Sequence, residues 1–139
     1  MINRKVLVVT HADLADGIRS SIHFFIGEQI EVTSICAFTK VNNVQEVLEE
    51  YFSNTPETDE VICFSDILFG SVNQWLGIYR NRPHTHIITG VNLGLILAVL
   101  LKPADEYLTE EEIVSAVNEA AASIIYVNNL KVETSDDDE

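Results

Sequence analysis

Two side chains capable of chemistry stand just past apolar runs. His11 follows Val6-Leu7-Val8-Val9-Thr10, and Asp66 follows Val61-Ile62-Cys63-Phe64-Ser65. Imidazole is a competent nucleophile near neutral pH when one ring nitrogen carries the proton and the other is free. A carboxylate on the N–H side fixes that tautomer and stabilises the cation formed on attack. A third feature, Gly70-Ser71, falls where a helix begins. Backbone N–H groups at such a start, with the Ser71 hydroxyl, make a cradle for an anion. Nucleophile, orienter and cradle together suggest a transferable phosphoryl group held on His11. The plainer reading of the same residues is a hydrogen-bonded histidine at a strand end and an aspartate that caps a helix. The choice turns on whether His11 and Asp66, far apart in sequence, meet.

Hydrophobic periodicity says that they do. Val6–Val9 and Val61–Phe64 are short β-branched apolar runs, the pattern of strands buried on both faces, and Ile30–Phe38 and His86–Thr89 supply two more. Between them the period becomes helical. Leu14, Ile18, Ile22, Phe25 and Ile26 share a face that Gly27 terminates. Asn42 or Asn43 can cap a helix carrying Val44, Val47, Leu48, Tyr51 and Phe52. From Ser71, the residues Val72, Trp75, Leu76 and Tyr79 recur at helical spacing, and Pro83 closes the turn that follows. Asn92 begins the very apolar helix Leu93–Leu101, and Thr109-Glu110-Glu111-Glu112 is a capping box opening a last helix. Ile124-Ile125-Tyr126-Val127 fits either the end of that helix or a strand, and its β-branched and aromatic content favours a strand.

Four βα units in succession require a mainly parallel sheet with helices on both faces, because parallel strands are joined by crossover helices. Right-handed crossovers in so short a chain point to a doubly wound α/β fold with strand order 2-1-3-4. In that order the winding reverses between strands 1 and 3, and ligands bind outside their C-terminal ends. His11, Asp66, Gly70 and Ser71 then face one crevice.

The 139 residues suit one domain, expected over 1–132, with a disordered acidic tail over 133–139. Net charge is −14, and without the five acids of the tail residues 1–131 still carry −9. Such a surface repels phosphate backbones and anionic lipid, which excludes nucleic acid and membrane surfaces as partners and favours a basic protein. The longest apolar run, Leu93 to Leu101, is far short of the ~20 residues that span a bilayer. No signal-peptide pattern opens the chain, and Cys36 and Cys63 each sit inside an apolar run, as buried free thiols of a reducing compartment do. A cytoplasmic location is expected.

The stretches Val6-Leu7-Val8-Val9-Thr10-His11-Ala12-Asp13-Leu14-Ala15-Asp16-Gly17, Phe64-Ser65-Asp66-Ile67-Leu68-Phe69-Gly70-Ser71 and Gly90-Val91-Asn92-Leu93 resemble the IIA component of the mannose-type (fructose/mannose/sorbose) phosphoenolpyruvate-dependent sugar phosphotransferase system. The similarity covers roughly residues 3–130. It implies that His11 accepts a phosphoryl group from the carrier protein HPr and passes it to a IIB component. It also implies that Asp66 orients His11, that Gly70-Ser71 is the phosphate-binding pair, and that no metal or cofactor is needed. Family members are homodimers that exchange a C-terminal edge strand, a part that falls here to Ile124–Val127. The alternatives are the phosphocarrier subunit of a dihydroxyacetone kinase, which resembles the same domain, and a non-catalytic regulatory module with the same fold.

Other candidates carry less. His84 and His86 share a strand face, but at the wrong end of the sheet and without a paired Cys or carboxylate for a metal. His23 lies off the apolar face of its helix, and Trp75 lies on the apolar stripe of its own, which reads as core. Asp13 and Asp66 together resemble the acidic site of a response-regulator receiver, but His11 takes the prominent position and Lys102 lies beyond a helix; capping the first helix is the simpler task for Asp13.

Overall fold

The computed structural model describes residues 1–131, so the tail expected over 133–139 lies outside the described residues. Strands β1 (Arg4–His11), β2 (Glu31–Ala37), β3 (Glu60–Ser65) and β4 (Thr85–Ile88) form one sheet in the order β2-β1-β3-β4, with every neighbouring pair parallel. Helices α1 (Leu14–Ile26), α2 (Val44–Ser53), α3 (Ser71–Gly77), α4 (Leu93–Leu100) and α5 (Glu110–Ala122) complete the doubly wound arrangement.

The strands alternate their side chains between two cores, which is why their hydropathy shows no alternation. Val6 and Val8 of β1, with Ile62 and Phe64 of β3, face α1, α4 and α5. Leu7 and Val9, with Val61 and Cys63, face α2 and α3. Cys36 and Cys63 are both buried and free. Burial pushes the Cys63 thiol up to about 12. Leu93–Leu100 is apolar nearly all round because α4 is sandwiched between α1 and α5. Asn92 caps it by accepting from the Leu95 N–H at 2.9 Å, and the Thr109–Glu112 capping box opens α5 with both reciprocal bonds formed.

Several local expectations are corrected. Asp13 occupies the N-cap position of α1 without capping it; the Ala15 N–H donates instead to Thr10 Oγ1 at 2.8 Å, and Asp13 accepts from Thr39 Oγ1 at 2.9 Å. On α1, Ile22 is buried, but Leu14 and Phe25 stay about half exposed, and the small Ala15 is the residue pressed into the core. β2 ends at Ala37, because Phe38 turns out of the strand with a left-handed φ of 73°. His84 lies before β4 and stacks on Tyr107, with ring centroids 3.5 Å apart, so it does not share the strand face of His86. Ile124–Tyr126 form no strand in the single chain; they leave α5 exposed and lead into a 3₁₀ turn at Val127–Asn129. A strand needs an edge to pair with, and within one chain these residues find none.

Candidate functional site

The site is built where β1 and β3 end. Their register pairs Val9 with Ser65, so the next residues along, Thr10-His11 and Asp66-Ile67, emerge side by side at the point where the winding reverses. Asp66 takes hold of His11 twice through one oxygen. Its Oδ2 accepts from the His11 backbone N–H at 2.8 Å and lies 2.9 Å from His11 Nδ1. Oδ1 accepts from the Ile67 N–H at 2.9 Å. Partial burial pushes the Asp66 carboxyl upward, but the His11 N–H, the His11 ring and the Ile67 N–H together outweigh it and hold the group below its ordinary value. It is therefore ionised at neutral pH. An ionised carboxylate only accepts, so Nδ1 carries the ring proton and Nε2 keeps its lone pair. The His11 side chain is 37% exposed, against 12% for Asp66.

Gly70 lies on the far edge of the imidazole. A Cβ at that position would come within 3.2 Å of His11 Cε1 and 3.6 Å of Nε2, so the absence of a side chain lets the start of α3 approach the free nitrogen. Ser71 follows as the first residue of α3. All four residues singled out in the sequence, His11, Asp66, Gly70 and Ser71, thus gather at one end of the sheet.

Two further residues were not found by sequence reasoning. Asn73, in the first turn of α3, accepts from Ser65 Oγ at 2.6 Å and donates to the Leu68 carbonyl at 3.2 Å, which ties both ends of the Asp66 loop to the helix. Its one sequence signal was a polar side chain beside the apolar stripe of a short helix. Phe38 stacks on His11, with centroids 5.3 Å apart and planes at 25°, and its other neighbour is Trp75, at 5.9 Å. A bulky residue in the left-handed region costs on the order of 1–3 kcal/mol, and such outliers gather where surrounding structure holds them. Trp75 is half-buried against the α2–α3 core, as its position on the apolar stripe predicts.

The rim is apolar. Phe38 and Ile67 are each 53% exposed, Leu68 57% and Phe69 88%, far more than large apolar side chains that serve a core. Among the described residues, no group of three or more His, Cys, Asp or Glu side chains is placed to hold a metal ion, and no helix is long and apolar enough to cross a membrane.

Fold and site together define a class: a doubly wound α/β domain with an oriented, half-exposed histidine at its switch point. Comparison with known proteins makes this specific. Residues 5–118 match the family model of the phosphotransferase system fructose IIA component, and the chain belongs to that family. Among solved structures it is similar to a protein described as a phosphoenolpyruvate-dependent sugar phosphotransferase system permease from Klebsiella pneumoniae, at 32% identity over 92% of this chain and 93% of that one, with a TM-score of 0.82. It is similar to the IIA protein associated with the fucose utilization operon of Streptococcus pneumoniae, at 25% identity over 91% of this chain and 95% of that one, with a TM-score of 0.70. The mannose/sorbose-specific IIA subunit from Enterococcus faecalis shares the fold, with a TM-score of 0.73, at 14% identity over 96% of this chain and all of the other. Among curated proteins no sequence matches. Family and fold support a phosphotransfer role in a sugar phosphotransferase system.

Proposed function

We propose that this protein is a phosphohistidine carrier: His11 takes a phosphoryl group from phosphorylated HPr and yields it to a sugar-specific IIB component. The observation that carries the reading is the Asp66 grip on His11 Nδ1 at 2.9 Å, which leaves Nε2 as a nucleophile in a half-exposed ring. In the in-line step the Nε2 lone pair forms the new N–P bond while the donor's N–P bond breaks and its electron pair returns to the donor imidazole. The positive charge that develops on His11 is balanced by Asp66 through the Nδ1 proton. Gly70 and Ser71, at the edge where Nε2 opens, are the pair we assign to the phosphoryl oxygens. Both ends of each transfer are protein side chains, so no metal or cofactor enters the scheme.

The partners follow from the surface. An apolar rim of Phe38, Ile67, Leu68 and Phe69 inside a chain of net charge −14 suits a basic protein that seals the site from water during transfer. The same charge argues against nucleic acid or anionic lipid, and the buried free thiols Cys36 and Cys63 suit a reducing cytoplasm, from which the protein meets the membrane only through transporter components. Ile124, Ile125, Tyr126 and Val127 are each at least half exposed in the single chain, which supports a homodimer in which this segment pairs with the partner copy.

Incubation with enzyme I, HPr and labelled phosphoenolpyruvate tests the reading. The expected label is acid-labile and base-stable, and it disappears in His11→Ala while the circular dichroism spectrum stays that of the wild type. A label that persists in the variant places the nucleophile elsewhere. An unlabelled wild type, with both donors active on a control protein, makes the domain a regulatory module.

A further inference from the structure

Asp66 alone does not fix the reacting ring. One contact at Nδ1 leaves the imidazole free to swing about the Nδ1···Oδ2 line, and the edge beside Gly70 blocks only one direction of that swing. The face of the ring is covered by Phe38, at 5.3 Å. We infer that Phe38 is a positioning residue for transfer at His11, a side chain whose ring holds the imidazole with Nδ1 on Asp66 and Nε2 turned outward. The inference rests on the assignment of His11 as the carrier and extends it to a residue outside the His11–Asp66 hydrogen bond.

The backbone supports this. At φ 73° the local conformation suits glycine or asparagine, not phenylalanine. What phenylalanine supplies there and glycine cannot is a ring, and that ring neighbours both His11 and Trp75. The turn is held from several directions, as a strained position requires. The Phe38 N–H donates to the Val41 carbonyl at 3.0 Å, and the Lys40 and Val41 N–H groups both donate to the Cys36 carbonyl at 3.1 Å. The Ala12 N–H, next to His11, donates to the Ala37 carbonyl at 2.9 Å, so the two loops are joined on either side of the stacked rings. From α1, Asp13 accepts from Thr39 Oγ1 at 2.9 Å and Asp16 accepts from Lys40 Nζ at 2.5 Å. Two acidic side chains that cap nothing on their own helix thus clamp the turn that carries Phe38. Phe38 as a residue is 53% exposed, so core packing does not explain it.

The competing explanation is that Phe38 only contacts the partner protein, and the test separates the two. Phe38→Gly, Phe38→Leu and Phe38→Tyr are compared with the wild type using phosphorylated HPr and, separately, phosphoramidate, a donor with no docking surface. Positioning predicts that Gly and Leu slow the maximal transfer rate by about tenfold with either donor. Half-saturating HPr changes by less than about twofold, and Tyr restores the rate. Phe38→Gly unfolds no earlier in urea than the wild type, because glycine accepts the left-handed turn. A raised half-saturating HPr concentration with normal phosphoramidate rates overturns the proposal and makes Phe38 a docking residue.

A second readout is independent of transfer. Nuclear Overhauser contacts from the His11 ring Cε1 proton to Gly70 report one fixed ring orientation in the wild type and the Tyr variant, and are weakened by averaging in the Gly and Leu variants. Unchanged contacts in those two overturn the proposal. If no donor labels the wild type, the carrier assignment fails, and these contacts still decide whether Phe38 holds the ring.

Discussion

The first and last residues of β1 each bond through a side chain to a carboxylate from the β3 side of the sheet, and the two pairs are finished differently. At the start, Arg4 and Glu60 are buried and bonded to each other. Each remaining nitrogen and oxygen has a partner: Arg4 donates to the Lys102 carbonyl at 2.7 Å and the Glu106 carbonyl at 3.2 Å, and Glu60 accepts from the Leu108 N–H at 2.6 Å. At the other end, His11 is bound to Asp66 through Nδ1, and Nε2 makes no hydrogen bond among the described residues. One pair is a bolt that fastens the α4–α5 connection to the sheet. The other leaves one nitrogen unspent, and in that the site consists. Left-handed non-glycine residues occur at both ends, Ala12 and Phe38 beside His11 and His84 ahead of β4, so it is the unspent nitrogen and not the backbone strain that separates them. Satisfaction and reactivity are opposite uses of the same kind of contact, set at opposite ends of one strand.

The widest gap between the ends comes from removing each carboxylate's charge. Glu60→Gln leaves the Arg4 guanidinium buried without a counter-charge, and we expect a loss of about 3–5 kcal/mol. This is read as a lower urea midpoint, with transfer per folded molecule unchanged. Replacing both partners by apolar residues should recover much of the loss. A midpoint that does not move would mean that water reaches Arg4. Asp66→Asn should do the reverse, slowing phosphoryl transfer about a hundredfold while stability falls by less than about 1.5 kcal/mol. If the rates of wild type and Asn variant agree, Asp66 is a structural residue like Glu60, and the contrast between the ends disappears.

This contrast was half legible in the sequence. Strand runs, the 2-1-3-4 order and the meeting of His11 with Asp66 follow from periodicity and crossover geometry, because both cores enforce a simple pattern on the strands. Glu60 escaped, since a charged residue ahead of Val61 reads as a strand boundary, and its partner is far away in the chain. Phe38 escaped for a related reason. It looks like the last apolar residue of β2, and only bonds made by Asp13, Asp16 and Ala12 turn it out of the strand. Capping chemistry was readable where it is local, as at Thr109–Glu112, and misread at Asp13, where a tertiary partner, Thr39, takes the side chain. Asn43 likewise heads α2 without a side-chain cap and donates to Glu46 of its own helix at 3.4 Å, so local capping rules fail wherever another side chain takes the capping group.

Gly70 offers a finer probe of the open end. Its φ of 179° is extended backbone that any residue adopts, so Gly70→Ala introduces no strain of its own. The added methyl meets His11 Cε1 at 3.2 Å, and the imidazole must give by a few tenths of an ångström. We expect stability within about 0.5 kcal/mol of the wild type and transfer about tenfold slower. A variant of normal rate would show that the ring has slack on this side, and that Phe38 and Asp66 suffice to aim it.

The smallest effect belongs to Asp16, the outer clamp of the Phe38 turn. Hydrogen bonds from Lys40 and then Ser34 hold its carboxyl at about 2, below the usual 3.8. A group whose folded value is depressed stabilises the fold fully above its unfolded value and loses that contribution as pH falls through the folded one. Asp16 therefore adds an acid-dependent slope to stability between pH 3.8 and about 2. Asp16→Asn should flatten that part of the curve, measured by urea unfolding at successive pH values, and barely move the midpoint at neutral pH, because the pair is solvent-exposed. One molar salt should erase most of the difference. Transfer should fall less than in Phe38→Gly, since Asp13 and the Cys36 carbonyl still hold the turn. If Asp16→Asn instead matches Phe38→Gly in rate, the clamp and the ring act as one unit, and the open end of β1 is as tightly specified as the closed one.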